Sequence, residues 1–190
     1  MRAFIAIELP KEIKDYLSRI QVQLQTAGAD VKWVEPKNIH LTLKFLGEID
    51  DKKKDGVIKI IEDIAKSNNP FSARICCVGA FPKISFPRVL WVGIQEGDKE
   101  TKEIARELEE KVNKLSIPRE DRPFSSHITI GRIKSTLNRE KLVRELETIA
   151  ANFSKEGLIF SVTKITFFKS TLTPGGPIYE ALKEVELKIT

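Results

Sequence analysis

The chain is poor in the residues that build metal centres and disulfide frameworks. Its 190 residues include only two cysteines, two histidines and one methionine. The cysteines, Cys76 and Cys77, are adjacent. Neighbours on a strand point to opposite faces, so they are expected to stay unbridged, as small core residues in a reducing compartment. No CxxC pair exists, and no GK[ST] follows the Gly175–Gly176 pair, which argues against a zinc ribbon and a P-loop. No apolar run reaches the roughly 18 residues of a membrane helix. The opening "MRAFIAIELP" has an apolar stretch too short for a secretory leader and lacks a cleavage site, so a cytoplasmic location is expected. Charge of one sign is also scarce: 32 Lys and Arg stand against 27 Asp and Glu, a net +5 that suits an anionic partner without requiring one.

What is present is a pattern that occurs twice. The first half reads as a strand over 2–8, a helix over 11–26, a strand from His40, a helix capped by Asp50 or Asp51 and running to about Ser67, and the strand "FSARICCVGAF". "PKISFPR", with Pro82 and Pro87, reads as a loop. The order then restarts: a strand over 89–96, a helix from Asp98, a strand from His127, a helix from Asn138, and one long strand, "LIFSVTKITFFKS". "TLTPGGP" forms a turn and a last strand follows over 178–189. Phe4 to His40 and Trp91 to His127 are both 36 positions, and the halves are offset by 87. That period is too long for a solenoid repeat and fits two lobes related by a pseudo-two-fold. The predicted fold is α+β: one bilobal domain over 1–190, with an internal repeat of about 2–80 and 89–170. Each lobe is a largely antiparallel sheet with helices on its outer face, and the cleft lies between them.

Both histidines occupy the same place in the repeat. "NIHLTLKFLG" (38–47) and "SSHITIGRIK" (125–134) each carry His-x-Thr with apolar residues between. Strand alternation puts His40 with Thr42, and His127 with Thr129, on one face, and the intervening apolar side chains in the core. A single strand histidine is more often a hydrogen-bonded, part-buried side chain than a catalytic group. Recurrence of the only two histidines with the same neighbours is poorly explained by packing. Metal binding needs three or four ligands, and no third ligand accompanies these two. Two opposed imidazoles with two hydroxyls suit displacement at phosphorus: one ring removes a proton from the attacking oxygen, the other protonates the leaving oxygen, and the hydroxyls donate to the phosphate.

With "RAFIAIELP", "RVLWVGI" and "STLTPGGPIYE", the duplicated motif resembles the 2H phosphoesterase superfamily, and within it the RNA 2′,3′-cyclic phosphodiesterase (2′-5′ RNA ligase) family. The resemblance runs nearly end to end. It implies hydrolysis of 2′,3′-cyclic phosphate RNA ends to 2′-phosphates, with reversible ATP-independent 2′-5′ joining alongside. It implies that His40 and His127 are the acid/base pair, that Thr42 and Thr129 hold the phosphate, and that Arg132, five residues after His127, joins them. No cofactor, metal or membrane is expected; the partner is RNA with a cyclic phosphate end, tRNA halves being one such RNA. Parity argues against Arg132, since it falls on the face of Ile128 and Ile130 unless the chain bends at Gly131. Phe4 and Trp91 are candidate base or ribose contacts, with core packing equally plausible for each. Lys44, Arg88, Arg119 and Arg122 are weaker candidates for backbone phosphates. The rival reading is a nucleotide- or RNA-binding module without turnover. Oligomeric state is not readable from sequence.

Overall fold

The computed structural model of the chain describes residues 1–153 and 158–188. Its elements are β1 (Arg2–Glu8), α1 (Lys11–Gln25), β2 (Val31–Trp33), a 3-10 turn (Pro36–Asn38), β3 (His40–Glu48), α2 (Asp51–Ser67), β4 (Phe71–Lys83) and β5 (Phe86–Ile94). They continue as α3 (Asp98–Asn113), β6 (His127–Ile133), α4 (Arg139–Asn152), β7 (Ile159–Val162), β8 (Lys164–Thr173) and β9 (Gly176–Glu186). The strands form two antiparallel sheets, β3-β1-β8-β9 and β2-β6-β5-β4-β7. The α+β class and the duplicated, antiparallel design follow the sequence pattern.

The helices form where a 3.6-residue apolar stripe is available to bury. α1 buries Ile13, Leu17, Ile20 and Leu24, and α3 buries Ile104, Leu108 and Val112. Asp50 starts α2 by accepting the Lys53 amide hydrogen at 2.8 Å, which satisfies one of the end's free N–H groups. The helical stripes and one face of each sheet share a single apolar core that draws on both halves of the chain.

The halves nonetheless exchange strands. β4, from the first half, pairs with β5 in the five-stranded sheet, and β8, from the second half, pairs with β1 in the four-stranded sheet. The predicted long strand over 158–170 is therefore two strands. β7 ends at Val162 against β4, and β8 begins at Lys164 in the other sheet. The burial phase changes with the crossing: Phe160 and Val162 are buried on alternate positions, whereas Ile165, Thr166, Phe167 and Phe168 are all buried. The predicted loop "PKISFPR" is a tight hairpin in which Pro82 faces Pro87 at a register shift, where a missing N–H costs the ladder little. β9 starts at Gly176 and ends at Glu186; residue 189 of the predicted last strand lies outside the described residues.

Lys44, a weak candidate for a backbone phosphate and more plausibly a solvated surface residue by sequence, is instead buried. Its ammonium meets Glu109 at 2.8 Å and Glu120 at 3.8 Å, and donates to the Pro118 carbonyl at 3.0 Å. It ties β3 to α3 and to the segment after it. Removing one partner of a buried ion pair leaves the other charge uncompensated. Lys44→Met is expected to destabilise the fold by about 2–4 kcal/mol, the lower part of that range reflecting the water Glu109 keeps. Denaturant unfolding should register the loss, and Glu109→Gln in the Lys44→Met background should recover part of it.

Candidate active site

The geometry of each histidine is set two residues before it. The Nδ1–H of His40 donates to the Asn38 carbonyl at 2.7 Å, and that of His127 donates to the Ser125 carbonyl at 2.8 Å. A carbonyl can only accept, so the Nδ1 of both rings carries a proton. Nε2 is left as the nitrogen that gains or loses one. Asn38 is itself fixed: it is buried, and its side-chain amide donates to the Pro177 carbonyl of β9 at 3.0 Å.

Alternation then carries Thr42 and Thr129 onto the histidine faces, and a bulge in each strand does the rest. In β3, Thr42 is opposite Ala6 and Lys44 is opposite Ile5, so Leu43 is an extra residue. In β6, Thr129 is opposite Trp91 and Gly131 is opposite Leu90, so Ile130 is extra. The bulges fall at the same offset of 87 as the motifs. Each sends two consecutive positions to the core, Leu43 with Lys44 and Ile130 with Gly131, and reverses the parity beyond. Arg132 consequently stands on the face of His127 and Thr129, which corrects the parity argument; in β3 the same reversal delivers Phe45. Gly131 is required there: a Cβ would lie 2.9 Å from Val31 and 3.1 Å from Trp33 of β2. The Ile130 carbonyl displaced by the bulge accepts from the Val34 amide at 3.1 Å and from Gln21 Nε2 at 2.8 Å.

His40, Thr42, Thr129, Arg132 and Phe4 line one cleft of about 410 Å³, with Phe45, Trp33 and Tyr179 among its other walls. His127 stands on the same face of β6 as Thr129, outside the residues that line this cavity. Trp91 is also outside it. Its ring lies over Gly79, where a Cβ would run into it, and is tilted against Phe81 at 5.3 Å. Register further shows that Trp91 corresponds to Ala6, opposite the threonine, and not to Phe4. The 87-position offset slips by two in the first strands. Of the weaker candidates, Arg88 lies 5.8 Å from the Phe86 ring centroid, and Arg119 and Arg122 line a separate depression beside α3.

Aromatic side chains back both imidazoles; of these the sequence marks Phe4, as a base or ribose contact, and the others were missed. His40 stacks on Phe4 at 4.8 Å and meets the Tyr179 edge at 5.4 Å; Phe168 stacks behind Phe4 at 5.1 Å. His127 meets Phe81 edge-on at 5.0 Å. Phe81 and Phe168 share the 87-position offset, a signal that was available. Burial against these rings disfavours the imidazolium and pushes the pKa of both histidines below the usual value, partly countered by the hydrogen bonds to Asn38 and Ser125. Lys14 lowers His40 further and Glu8 opposes it, while Arg132 lowers His127. Burial also raises the Tyr179 hydroxyl, which stays protonated at neutrality.

Known proteins share both sequence and fold. The family model described as "LigT like Phosphoesterase" matches twice, over residues 7–91 and 92–179. A protein of Aquifex aeolicus named RNA 2′,3′-cyclic phosphodiesterase is 39% identical over 194 residues, covering 98% of this chain and 97% of that one. One of the same name from Methanocaldococcus jannaschii is 37% identical over 185 residues, covering 97% and 99%. The crystal structure of the Thermus thermophilus protein TT0787 superposes with a TM-score of 0.81 at 28% identity, covering 98% of each chain.

Two outcomes are expected of the free protein. Nitrogen-15 NMR should place the proton of both neutral rings on Nδ1, with both titration midpoints below the ordinary 6.5. Because the unfolded chain then binds more protons than the fold below that pH, stability should be complete above pH 6.5 and decline as pH falls through the lowered native values. Chemical unfolding at pH 7 and pH 5.5 should show a smaller decline in the His40→Asn/His127→Asn double variant.

Proposed function

The chain belongs to the LigT-like phosphoesterase family, and from that premise we propose that it hydrolyses 2′,3′-cyclic phosphate RNA ends to 2′-phosphates by two-histidine acid/base catalysis. One observation carries the reading. Two imidazoles, alone in the chain, make the same Nδ1–carbonyl bond, and each shares a strand face with a threonine. One neutral Nε2 takes a proton from water as its oxygen bonds to phosphorus. The P–O3′ bond breaks, and the other ring, as imidazolium, gives its proton to the departing 3′ oxygen. The product is a 2′-phosphate with a free 3′-hydroxyl. Thr42 and Thr129 donate to the non-bridging oxygens, where transition-state charge collects, and Arg132 supplies the cation. A 5′-hydroxyl in place of water gives a 2′-5′ join by the same steps, so joining needs no ATP. The RNA sources that fit are those with cyclic phosphate ends, tRNA halves included. Phe45, Trp33 and Tyr179 offer ring surface to the terminal nucleoside, whereas Phe4 is buried between His40 and Phe168.

The test is an oligonucleotide with a 2′,3′-cyclic phosphate end, incubated in EDTA with identification of the product. A 2′-monophosphate is expected, with kcat lowered about 10²–10⁴-fold in His40→Ala and in His127→Ala. Arg132→Gln is expected to raise KM. Retention of the oligonucleotide without conversion would favour the binding module, and loss of turnover in chelator would overturn the metal-free mechanism. The productive free enzyme has one ring protonated and one neutral. With both pKa values lowered, the kcat/KM optimum is expected on the acid side of pH 6.5, and an optimum on the alkaline side would count against the histidine pair.

A further inference from the structure

The adjacent cysteines do not point to opposite faces. In β4, Ile75 is opposite Ile94 and Cys77 is opposite Gly93, so a further bulge holds an extra residue at Cys76. Core positions change phase across it: Ala73 and Ile75 are buried before the bulge, Val78 and Ala80 after it. Cys76 and Cys77 are both left on the other face, each partly exposed and neither bridged. Gly93 shows how close they come. A Cβ on it would lie 2.7 Å from the Cys77 sulfur and 3.3 Å from the Cys76 sulfur, so both thiols converge on one point. The edge of the Trp91 ring is 3.3 Å from the same point, which identifies the face as the one that carries Trp91, Thr129 and His127.

Register makes the location specific. Cys77 is opposite Gly93, and Gly93 is opposite His127. The three positions form one cross-strand row spanning roughly 10 Å, with no side chain on the middle member. A group held by the sulfurs would lie over Gly93 and reach the imidazole. Cys76 is otherwise quiet: burial, and then the bond with Cys77, pushes it up to about 12, so it keeps its proton at neutrality and is a weak nucleophile by itself.

We propose that Cys76 and Cys77 form a dithiol site for a soft, two-sulfur-seeking electrophile of the trivalent arsenical class, and that its occupant sits beside His127. With phenylarsine oxide as the probe, two As–S bonds form and the arsenic–oxygen bond is lost. The two thiol protons leave with that oxygen as one water, and no oxidation state changes. Chelation by two sulfurs, and not the reactivity of either alone, sets the selectivity.

The experiment uses the full chain. Intact mass should show one phenylarsenic group per chain, resistant to excess 2-mercaptoethanol and removed by 2,3-dimercaptopropanol. Cys76→Ser and Cys77→Ser should each abolish that resistance. Failure of the native chain to retain the group, or retention in either serine variant, would overturn the site. In proton NMR the ring resonances of His127 should shift on loading and those of His40 should not; an unmoved His127 would overturn the placement. Loss of cyclic phosphodiesterase activity on loading, restored by the dithiol and absent in the serine variants, rests on the proposed function. If the unmodified chain has no such activity, that reading fails, while mass and NMR still decide this one.

Discussion

The arrangement of the site depends on one extra residue at the same place in each of two strands; a second in β3, Leu46, comes after Phe45. Without a bulge at Leu43 and at Ile130, regular alternation would turn Phe45 and Arg132 to the core and set Lys44 and Gly131 beside the His and Thr of their strands. The bulges are tolerated because their consequences are absorbed locally. The carbonyl pushed out at Ile130 finds Gln21 and Val34. The extra core position is filled differently in the two halves. In β6 it is Gly131, over which β2 closes the sheet edge. In β3 it is Lys44, and among the described residues no strand closes that edge. The segment 87 positions after β2 passes there instead, and the ammonium meets the Pro118 carbonyl and Glu109. A buried charge with partners from another element is a costly way to fill a gap, and it specifies which element packs there.

Strand exchange makes the two halves mutually dependent. Phe81, from the first half, packs against the second histidine, and Phe168, from the second half, stands behind Phe4 under the first. Folded alone, the second half would lose Phe81 from beside His127, and the first would keep Phe4 on His40 but lose Tyr179 and the Phe168 behind it. The same backing depresses the imidazolium form, so part of what tunes the rings arises from the exchange of β4 and β8. That exchange is why the two halves share one continuous core.

Much of this was legible in the sequence. The α+β class, the four helices and the duplicated His-x-Thr strands are written in periodicity and in the 87-position offset, because helix stripes and strand alternation are local properties. What escaped were bulges and partner choice. A bulge changes which face a side chain takes without changing the apolar pattern around it. Parity therefore misplaced Arg132 and both cysteines. Strand partners are long-range, so one apolar run could not reveal that Thr163 separates strands of different sheets. Tyr179, Phe81 and Phe168 drew no notice within their predicted strands. Only the shared offset of the two phenylalanines distinguished them, and the first-strand offset that seemed to pair Phe4 with Trp91 slips by two positions.

The asymmetry of the two bulges has a chemical consequence on the proposed reaction. The same parity reversal delivers Arg132 from one strand and Phe45, half exposed, from the other. A cyclic phosphodiester carries one negative charge, and its monoester product approaches two near neutrality. One guanidinium matches the substrate. A second at Phe45 would favour the more highly charged product and slow its release. It would also lower His40 as Arg132 already lowers His127, driving both rings toward the neutral form. General acid catalysis needs one imidazolium, so a site whose walls already disfavour charge gains from carrying only one cation, Arg132, on the two His-Thr strand faces; Arg2 and Lys32, which also line the cleft, come from β1 and β2. The phenyl group in its place offers a nucleoside a surface without adding charge.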